Sequence, residues 1–188
     1  MRIIAGEMRG RRLKSPEGDL TRPTADKVKG AIFNVLRDKV AGARVLDLFA
    51  GTGSLALEAL SRHAASAVLV EQNEKALRVL KENLKIAGAE EKVELIALDA
   101  FRFLNTRRDQ VFDLIFLDPP YHRGLMERAL QELAEPCRLS ADGVIVAETA
   151  KDEELNTIPP EFELRQTGEY GDTKVWYLQR IPSDSGLE

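Results

Sequence analysis

The 188-residue chain is poor in the side chains that build metal centres and covalent cross-links, holding one cysteine, Cys137, and two histidines. One cysteine excludes an intrachain disulfide and a cysteine-rich zinc site, and with so few histidines no protein-ligated metal is expected. No apolar run approaches the roughly 20 residues that cross a bilayer, so a membrane partner is not expected either. The opening residues Met1-Arg2-Ile3-Ile4-Ala5-Gly6-Glu7 lack the apolar stretch of a signal peptide, which makes the cytoplasm the expected compartment. Repeats, low-complexity tracts and an inter-domain linker are also missing. What is present is the composition of one globular domain with a substantial core, 44% hydrophobic and 31% charged.

The net charge of −4 argues against wholesale coating of nucleic acid. Its distribution points elsewhere. Residues 1–40 hold ten Lys/Arg against five Asp/Glu, leaving −9 for the remainder. Arg2, Arg9, Arg11, Arg12 and Lys14 face only Glu7 in the first fourteen residues, an asymmetry that suits an anionic partner. Residues 1–20 read as a short basic hairpin or arm. Ser15 to Leu20 is turn chemistry. Thr24 can then N-cap a helix with Val28, Ala31, Ile32, Val35 and Leu36 on its apolar stripe and Lys27, Lys29 and Arg37 off it. Gly42 closes that segment.

From Arg44 the pattern alternates between strand and helix. Val45 to Phe49, Ala67 to Val70, Val93 to Leu98, Phe112 to Leu117 and Gly143 to Ala147 read as buried strands. Helices are expected over Ser54 to Arg62, after the Asn73 cap, and over Leu125 to Glu135, with Gly88 stopping the second. Repeated strand–helix units imply an α/β fold with a mostly parallel sheet. Phe162 to Gln166 and Lys174 to Leu178 have no helix between them and should pair as an antiparallel hairpin. The main domain therefore spans residues 21–180, and 181–188 read as a frayed polar tail.

Four strand ends carry special residues: Asp47 with the loop Gly51-Thr52-Gly53, Glu71, Asp99, and Asp118-Pro119-Pro120-Tyr121. In an open α/β sheet, ligands bind beyond these carboxyl ends. The two prolines stop the fourth strand, because neither can donate to a ladder, and they push the preceding residue to extended angles. Asp118 and the free Pro119 carbonyl then offer two acceptors beside an aromatic ring, which suits a flat molecule bearing an NH2 group. An ordinary strand exit with a capping Asp is the alternative reading.

Gly51 to Ala56 also satisfies G-x-G-x-x-A, with Glu71 where a ribose-binding acid would lie, so an NAD-dependent oxidoreductase is a rival. Charge weighs against it. A pyrophosphate would meet the Asp47 carboxylate, and like charges 4–6 Å apart cost roughly 1–4 kcal/mol at effective dielectrics near 80 to 20. S-adenosylmethionine carries a sulfonium and an ammonium and no phosphate. Glu71 would then accept from its ribose hydroxyls and Asp99 from its adenine amine, with Phe101 packed nearby.

Val45-Leu46-Asp47-Leu48-Phe49-Ala50-Gly51-Thr52-Gly53, Glu71, Asp99 and Asp118-Pro119-Pro120-Tyr121 resemble the Rossmann-like S-adenosylmethionine-dependent amino-methyltransferases. Arg2-Ile3-Ile4-Ala5-Gly6 with Gly10-Arg11, Thr21-Arg22-Pro23-Thr24 and Ala31-Ile32-Phe33-Asn34 narrow the likeness to the RsmD family, to about Leu178. That resemblance implies methylation of the exocyclic N2 of one guanine in 16S rRNA, within an assembling small subunit. It implies a seven-stranded sheet whose last strand lies antiparallel beside the fifth. It also implies a cofactor pocket lined by Phe49 and by the segment Arg22 to Asn34, including Thr24. A monomer is expected. Asp118, Pro119, Pro120 and Tyr121 would be the catalytic set, the first two accepting the amine hydrogens and Tyr121 stacking on the base. Arg2, Arg9, Arg11, Arg12, Lys14 and Arg22 would contact RNA. A DNA adenine-N6 enzyme, a protein-glutamine methyltransferase and a catalytically silent RNA-binding module are the other readings.

Overall fold

The computed structural model describes residues 1–15 and 23–182, apart from the side chains of residues 23–25. The apolar runs become strands β1 (Arg44–Asp47), β2 (Ser66–Glu71), β3 (Val93–Ala97), β4 (Phe112–Leu117), β5 (Leu139–Ala150), β6 (Phe162–Tyr170) and β7 (Thr173–Arg180). Helices α1 (Pro23–Leu36), α2 (Ser54–Ser61), α3 (Glu74–Ala87), α4 (Ala100–Thr106) and α5 (Leu125–Ala134) alternate with them. All seven strands join one sheet in the order β3-β2-β1-β4-β5-β7-β6. The first five are parallel, while β7 runs antiparallel to both β5 and β6. The fold is Rossmann-like α/β, and the last strand sits beside the fifth as expected.

The structure departs from the expected elements in four places. β5 runs well past Gly143 to Ala147 in both directions, because Leu139 pairs with Phe112 and Ala150 with Thr173. A helix, α4, forms where none was expected; Asp99 caps it and only seven residues compose it. α1 begins at Pro23, so Thr24 lies in its first turn rather than at its cap, and a proline there gives up an N–H that would be orphaned anyway. Val35 is exposed, and the stripe that α1 buries runs through Val28, Ile32, Phe33 and Leu36. The turn residues 16–20, Thr21, Arg22 and the tail from 183 onward lie outside the described residues.

Alternating strand residues feed two cores. On one face, Val45, Leu114, Phe116, Val146 and Tyr177 pack against α1, α2 and α3. On the other, Leu46, Ile115, Ile145 and Leu178 pack against α4 and α5. The N-terminal segment belongs to the first core. Ile3 N–H donates to Arg11 O (3.0 Å), Gly10 N–H to Ile3 O (2.9 Å) and Leu13 N–H to Met1 O (3.0 Å), closing a small hairpin. Its Ile3, Met8 and Leu13 side chains are buried, each stabilising by about 1.5–3 kcal/mol.

A buried polar cluster anchors the hairpin to α2. The Glu58 carboxylate accepts from Ile4 N–H (2.9 Å), Ala5 N–H (3.0 Å) and Arg62 Nε (2.9 Å), with Lys29 Nζ at 3.5 Å. Met8 N–H donates to Ser61 Oγ at 2.9 Å, and that hydroxyl donates to Ala5 O at 2.6 Å. Gly6 is required at the contact: its φ is +81°, and a Cβ there would lie 1.8 Å from Ser61 O.

Candidate active site

The strand order reverses between β1 and β4, so a crevice opens at their carboxyl ends. Asp47 pairs with Phe116, two residues before Asp118, and Leu117 pairs with Ala147. Alternation therefore sets Asp47, Asp118 and Glu148 on one face of the sheet, with Asp118 and Glu148 side by side on adjacent strands.

Two cavities meet there. One, of about 370 Å³, is lined by Lys29, Asp47, Phe49, Gly51, Ser54, Asp118, Tyr121, Glu148 and Thr173 among others. The second, of about 1100 Å³, is lined by Phe49, Gly51, Glu71, Asn73, Asp118, Pro119, Pro120 and Tyr121 among others. Phe49, Gly51, Asp118 and Tyr121 belong to both and mark the junction.

Desolvation raises all three acids, and the charge of Asp118 adds to the shift at Asp47 and at Glu148. Burial pushes Asp47 up to about 8, helped by the charges of Asp118 and Glu71 and opposed by a hydrogen bond from Ala56 N–H. Asp118 opens onto the cleft, and desolvation in that concavity lifts it to about 6. Burial, then Asp118 and Asp47, hold Glu148 well above the usual carboxylate range. Lys29 lines the same cavity but donates to Arg2 O (2.6 Å) and Ser54 Oγ (3.1 Å) and pairs with Glu58. Such a site gains by accepting a cation.

The glycine loop is held from below. Gly51 N–H donates to Glu71 Oε2 at 2.8 Å, and Asn73 N–H donates to Glu71 Oε1 at 2.7 Å. Gly51, at φ +53°, would carry a Cβ with nothing nearer than Phe49 O at 4.0 Å, so its open side faces the cleft. Gly53 differs from the expectation. A Cβ there would lie 2.4 Å from Leu80 Cδ1, and the residue lines neither cavity. It lets the loop pack on α3 rather than letting a ligand approach.

Two other expected cofactor residues stand back from the cavities. Asp99 Oδ1 accepts from Phe101 N–H (3.1 Å) and Arg102 N–H (3.0 Å), a helix cap. Phe101 is buried, edge-on to Phe49 with centroids 6.3 Å apart and under the Arg128 guanidinium at 3.7 Å. It reaches the cleft through Phe49. Tyr121 is half-exposed, and its hydroxyl is hydrogen-bonded with the Thr173 side chain at the β6–β7 turn. Burial beside Asp118 and Glu148 pushes that phenol up to about 12. The Thr24 side chain and Arg22 lie outside the described residues.

The basic residues divide into two groups. Arg11 donates to the carbonyls of Ile86 (3.1 Å) and Ala87, closing the C-terminus of α3. Lys14 pairs with Glu82, while its backbone is held by Asn83, whose amide also donates to Thr52 O at 3.0 Å. Arg2 lies 3.8 Å from Asp26. Arg9 and Arg12 are exposed and have no partner among the described residues.

Sequence reasoning missed Glu148, Lys29 and Thr173. Glu148 follows the Gly143 to Ala147 run just as the other acids follow theirs, a signal that could have found it. Lys29 lies off the apolar stripe of α1 in the sequence pattern, yet it is 3% exposed and donates to Ser54 Oγ beside the glycine loop. Among the described residues, no group of three or more His, Cys, Asp or Glu is arranged to hold a metal ion.

A family model described as conserved hypothetical protein 95 matches residues 1–179. Ribosomal RNA small subunit methyltransferase D of Escherichia coli K12 is 34% identical over 180 residues, covering 96% of this chain and 90% of its own. The protein of that name from Haemophilus influenzae is 40% identical over 159 residues, covering 84% and 82%. Among solved structures, a methyltransferase from Escherichia coli superposes with a TM-score of 0.86 at 35% identity, over 96% of this chain and 97% of that one.

Proposed function

This chain belongs to the conserved hypothetical protein 95 family, that of ribosomal RNA small subunit methyltransferase D, and we propose that it methylates the exocyclic N2 amine of a guanine in 16S rRNA. Ribosomal RNA methylation is the activity its relatives are named for. The observation that carries the finer reading is the junction of the two cavities, where Asp118, Pro119, Pro120 and Tyr121 meet the acid-lined cofactor end.

The cofactor is S-adenosylmethionine, whose sulfonium supplies an electrophilic methyl group. The residues fit it. Asp47, Asp118 and Glu148 crowd three acids into a cavity whose lysine is already engaged, a donor set that suits a cation and repels a pyrophosphate. Gly51 N–H, which would greet a phosphate in a dinucleotide site, is taken by Glu71. Glu71 and Phe49 would hold the nucleoside end in the larger cavity, and Asp47 the amino-acid end.

A guanine N2 lone pair is delocalised into the ring and is a poor nucleophile at rest. Asp118 and the Pro119 carbonyl accept its two hydrogens and favour a more tetrahedral nitrogen. Tyr121 stacks on the flipped base, worth about 1–3 kcal/mol in comparable single-strand sites. Holding the amine in line with the methyl group contributes on the order of 7–11 kcal/mol through orientation. Arg9 and Arg12 contact phosphates on the approach, adding affinity without reading sequence. The acceptor is rRNA in an assembling small subunit, and the protein acts in the cytoplasm as a monomer.

The test is transfer of labelled methyl from S-adenosylmethionine onto naked 16S rRNA, assembly intermediates and DNA, followed by nucleoside analysis. N2-methylguanine from the RNA is the expected product. N6-methyladenine from DNA would overturn the reading.

A further inference from the structure

Asp118, Pro119 and Tyr121 accept any flat exocyclic amine, so the choice among amine-bearing bases has to come from elsewhere in the cleft. We propose that Glu148 accepts the ring N1–H of the acceptor guanine beside the amine held by Asp118, so that this cleft takes guanine and rejects adenine. The inference rests on the guanine-N2 reading above and adds the group that enforces it.

The geometry is that of two neighbouring parallel strands. Leu117 and Ala147 are in register, which places the next residues, Asp118 and Glu148, on one face about 4.8 Å apart at the backbone. Both line the smaller cavity together with Tyr121. Two acceptors in a row require two donors in a row. Guanine presents N1–H next to its amine on the Watson–Crick edge. Adenine and cytosine instead place an unprotonated ring nitrogen next to theirs, and a carboxylate there would face a lone pair. Flipped bases are read through this edge. Of the residues lining the cavity, Asp47 is buried under the glycine loop and bonded to Ala56 N–H, and Lys29 has its donors occupied. Asp172 lines the cavity from the turn between β6 and β7, and Glu148 is the acid in register beside Asp118 at the amine site. Burial and its two acidic neighbours favour its protonated form in the empty cleft, and a cationic cofactor favours the ionised acceptor.

The decisive experiment uses two synthetic fragments of 16S rRNA spanning the nucleotide that the wild-type protein methylates. One carries guanine there. The other carries 2-aminopurine, which keeps the amine but lacks N1–H. Wild-type protein should prefer guanine in single-turnover transfer. Glu148→Gln should lose about 10–100-fold on guanine, the scale of one misread base contact, and should narrow the preference because its amide can donate to N1. Glu148→Asp, which keeps an acceptor at that position of β5, should retain the preference. S-adenosylmethionine affinity, measured by calorimetry in both variants, separates the pull of Glu148 on the cationic cofactor from its effect on the choice of base. An unchanged preference in Glu148→Gln would overturn the inference while leaving N2 methylation standing. Loss of cofactor affinity without a change in preference would overturn it too and assign Glu148 to the cofactor. A wild-type product other than N2-methylguanine would instead bring down the functional reading itself.

Discussion

Under the hairpin, Glu58 is completely buried, yet every charge near it is matched: two backbone N–H groups, Arg62 and Lys29 converge on one carboxylate. In the cleft, Asp47, Asp118 and Glu148 line one cavity together. Each place takes an acid out of water, Glu58 in the first and Asp47 in the second. The first is complete in itself and serves as an anchor. The second is left wanting a cation, and a site that forgoes stability in this way is where a ligand enters. The two regions also share Lys29, which bonds to Arg2 O on the hairpin and Ser54 Oγ beside the glycine loop.

Removing the anchor should have the largest effect. Glu58→Ala strips Lys29 of its partner and orphans two N–H groups, and should cost about 3–5 kcal/mol of stability in chemical denaturation. A loss under about 1 kcal/mol, typical of an exposed pair, would show that the hairpin is not held by that carboxylate. Asp118→Ala should leave the fold largely intact and, at saturating S-adenosylmethionine, reduce single-turnover methyl transfer by about 10²–10³-fold, as for one preorganised group at a reacting centre. Near-normal rates would dismiss Asp118 as the amine acceptor.

The acids should respond to pH in a direction the anchor does not share. Asp47 and Asp118 titrate near 8 and 6 in the folded protein, above their unfolded value of 3.8. The ligand-free fold therefore holds protons that the unfolded chain has released, and its stability falls as pH rises from 4 towards 8. S-adenosylmethionine, a cation, prefers the ionised acids. Its affinity should rise by about tenfold from pH 6 to 8 with release of protons. Calorimetry in two buffers of different ionisation enthalpy measures this, and Asp47→Asn should flatten it. The smallest effect is at the surface. Replacing Arg9 and Arg12 together should lower the salt slope of RNA binding by about 1.4, on the basis of roughly 0.7 per phosphate for single strands. Adding Arg11→Ala should lower stability as well, because that side chain closes α3.

The contrast also explains what the sequence could disclose. Strand ends are local events: an apolar run stops, an acid follows, and Asp47, Glu71 and Asp118 could be found by reading along the chain. Glu148 also follows an apolar run, but β5 continues past it to pair with β7, through residues 23 or more positions away, so it does not end its strand. The hairpin was visible from Gly6 and Gly10, but its burial was not, since nothing near Ile3 names Ser61 or Glu58. Arg11 and Gly53 read as ligand contacts for the same reason. Their partners, Ala87 and Leu80, sit on a helix that only the folded chain brings near.

The position of β7 between β5 and β6 has a consequence for how the molecule is made. Synthesised last of the seven strands, β7 occupies an interior place in the sheet, so β6 has no partner and β5 keeps an open edge until it emerges. The same strand brings Thr173 to the Tyr121 hydroxyl and lays Val175 against Glu148. A growing chain can thus assemble the glycine loop and the acids of β1 and β4 early, but not the side of the smaller cavity that Thr173 lines. The cavity is completed in one late step, and until then β5 carries an uncovered edge open to mispairing.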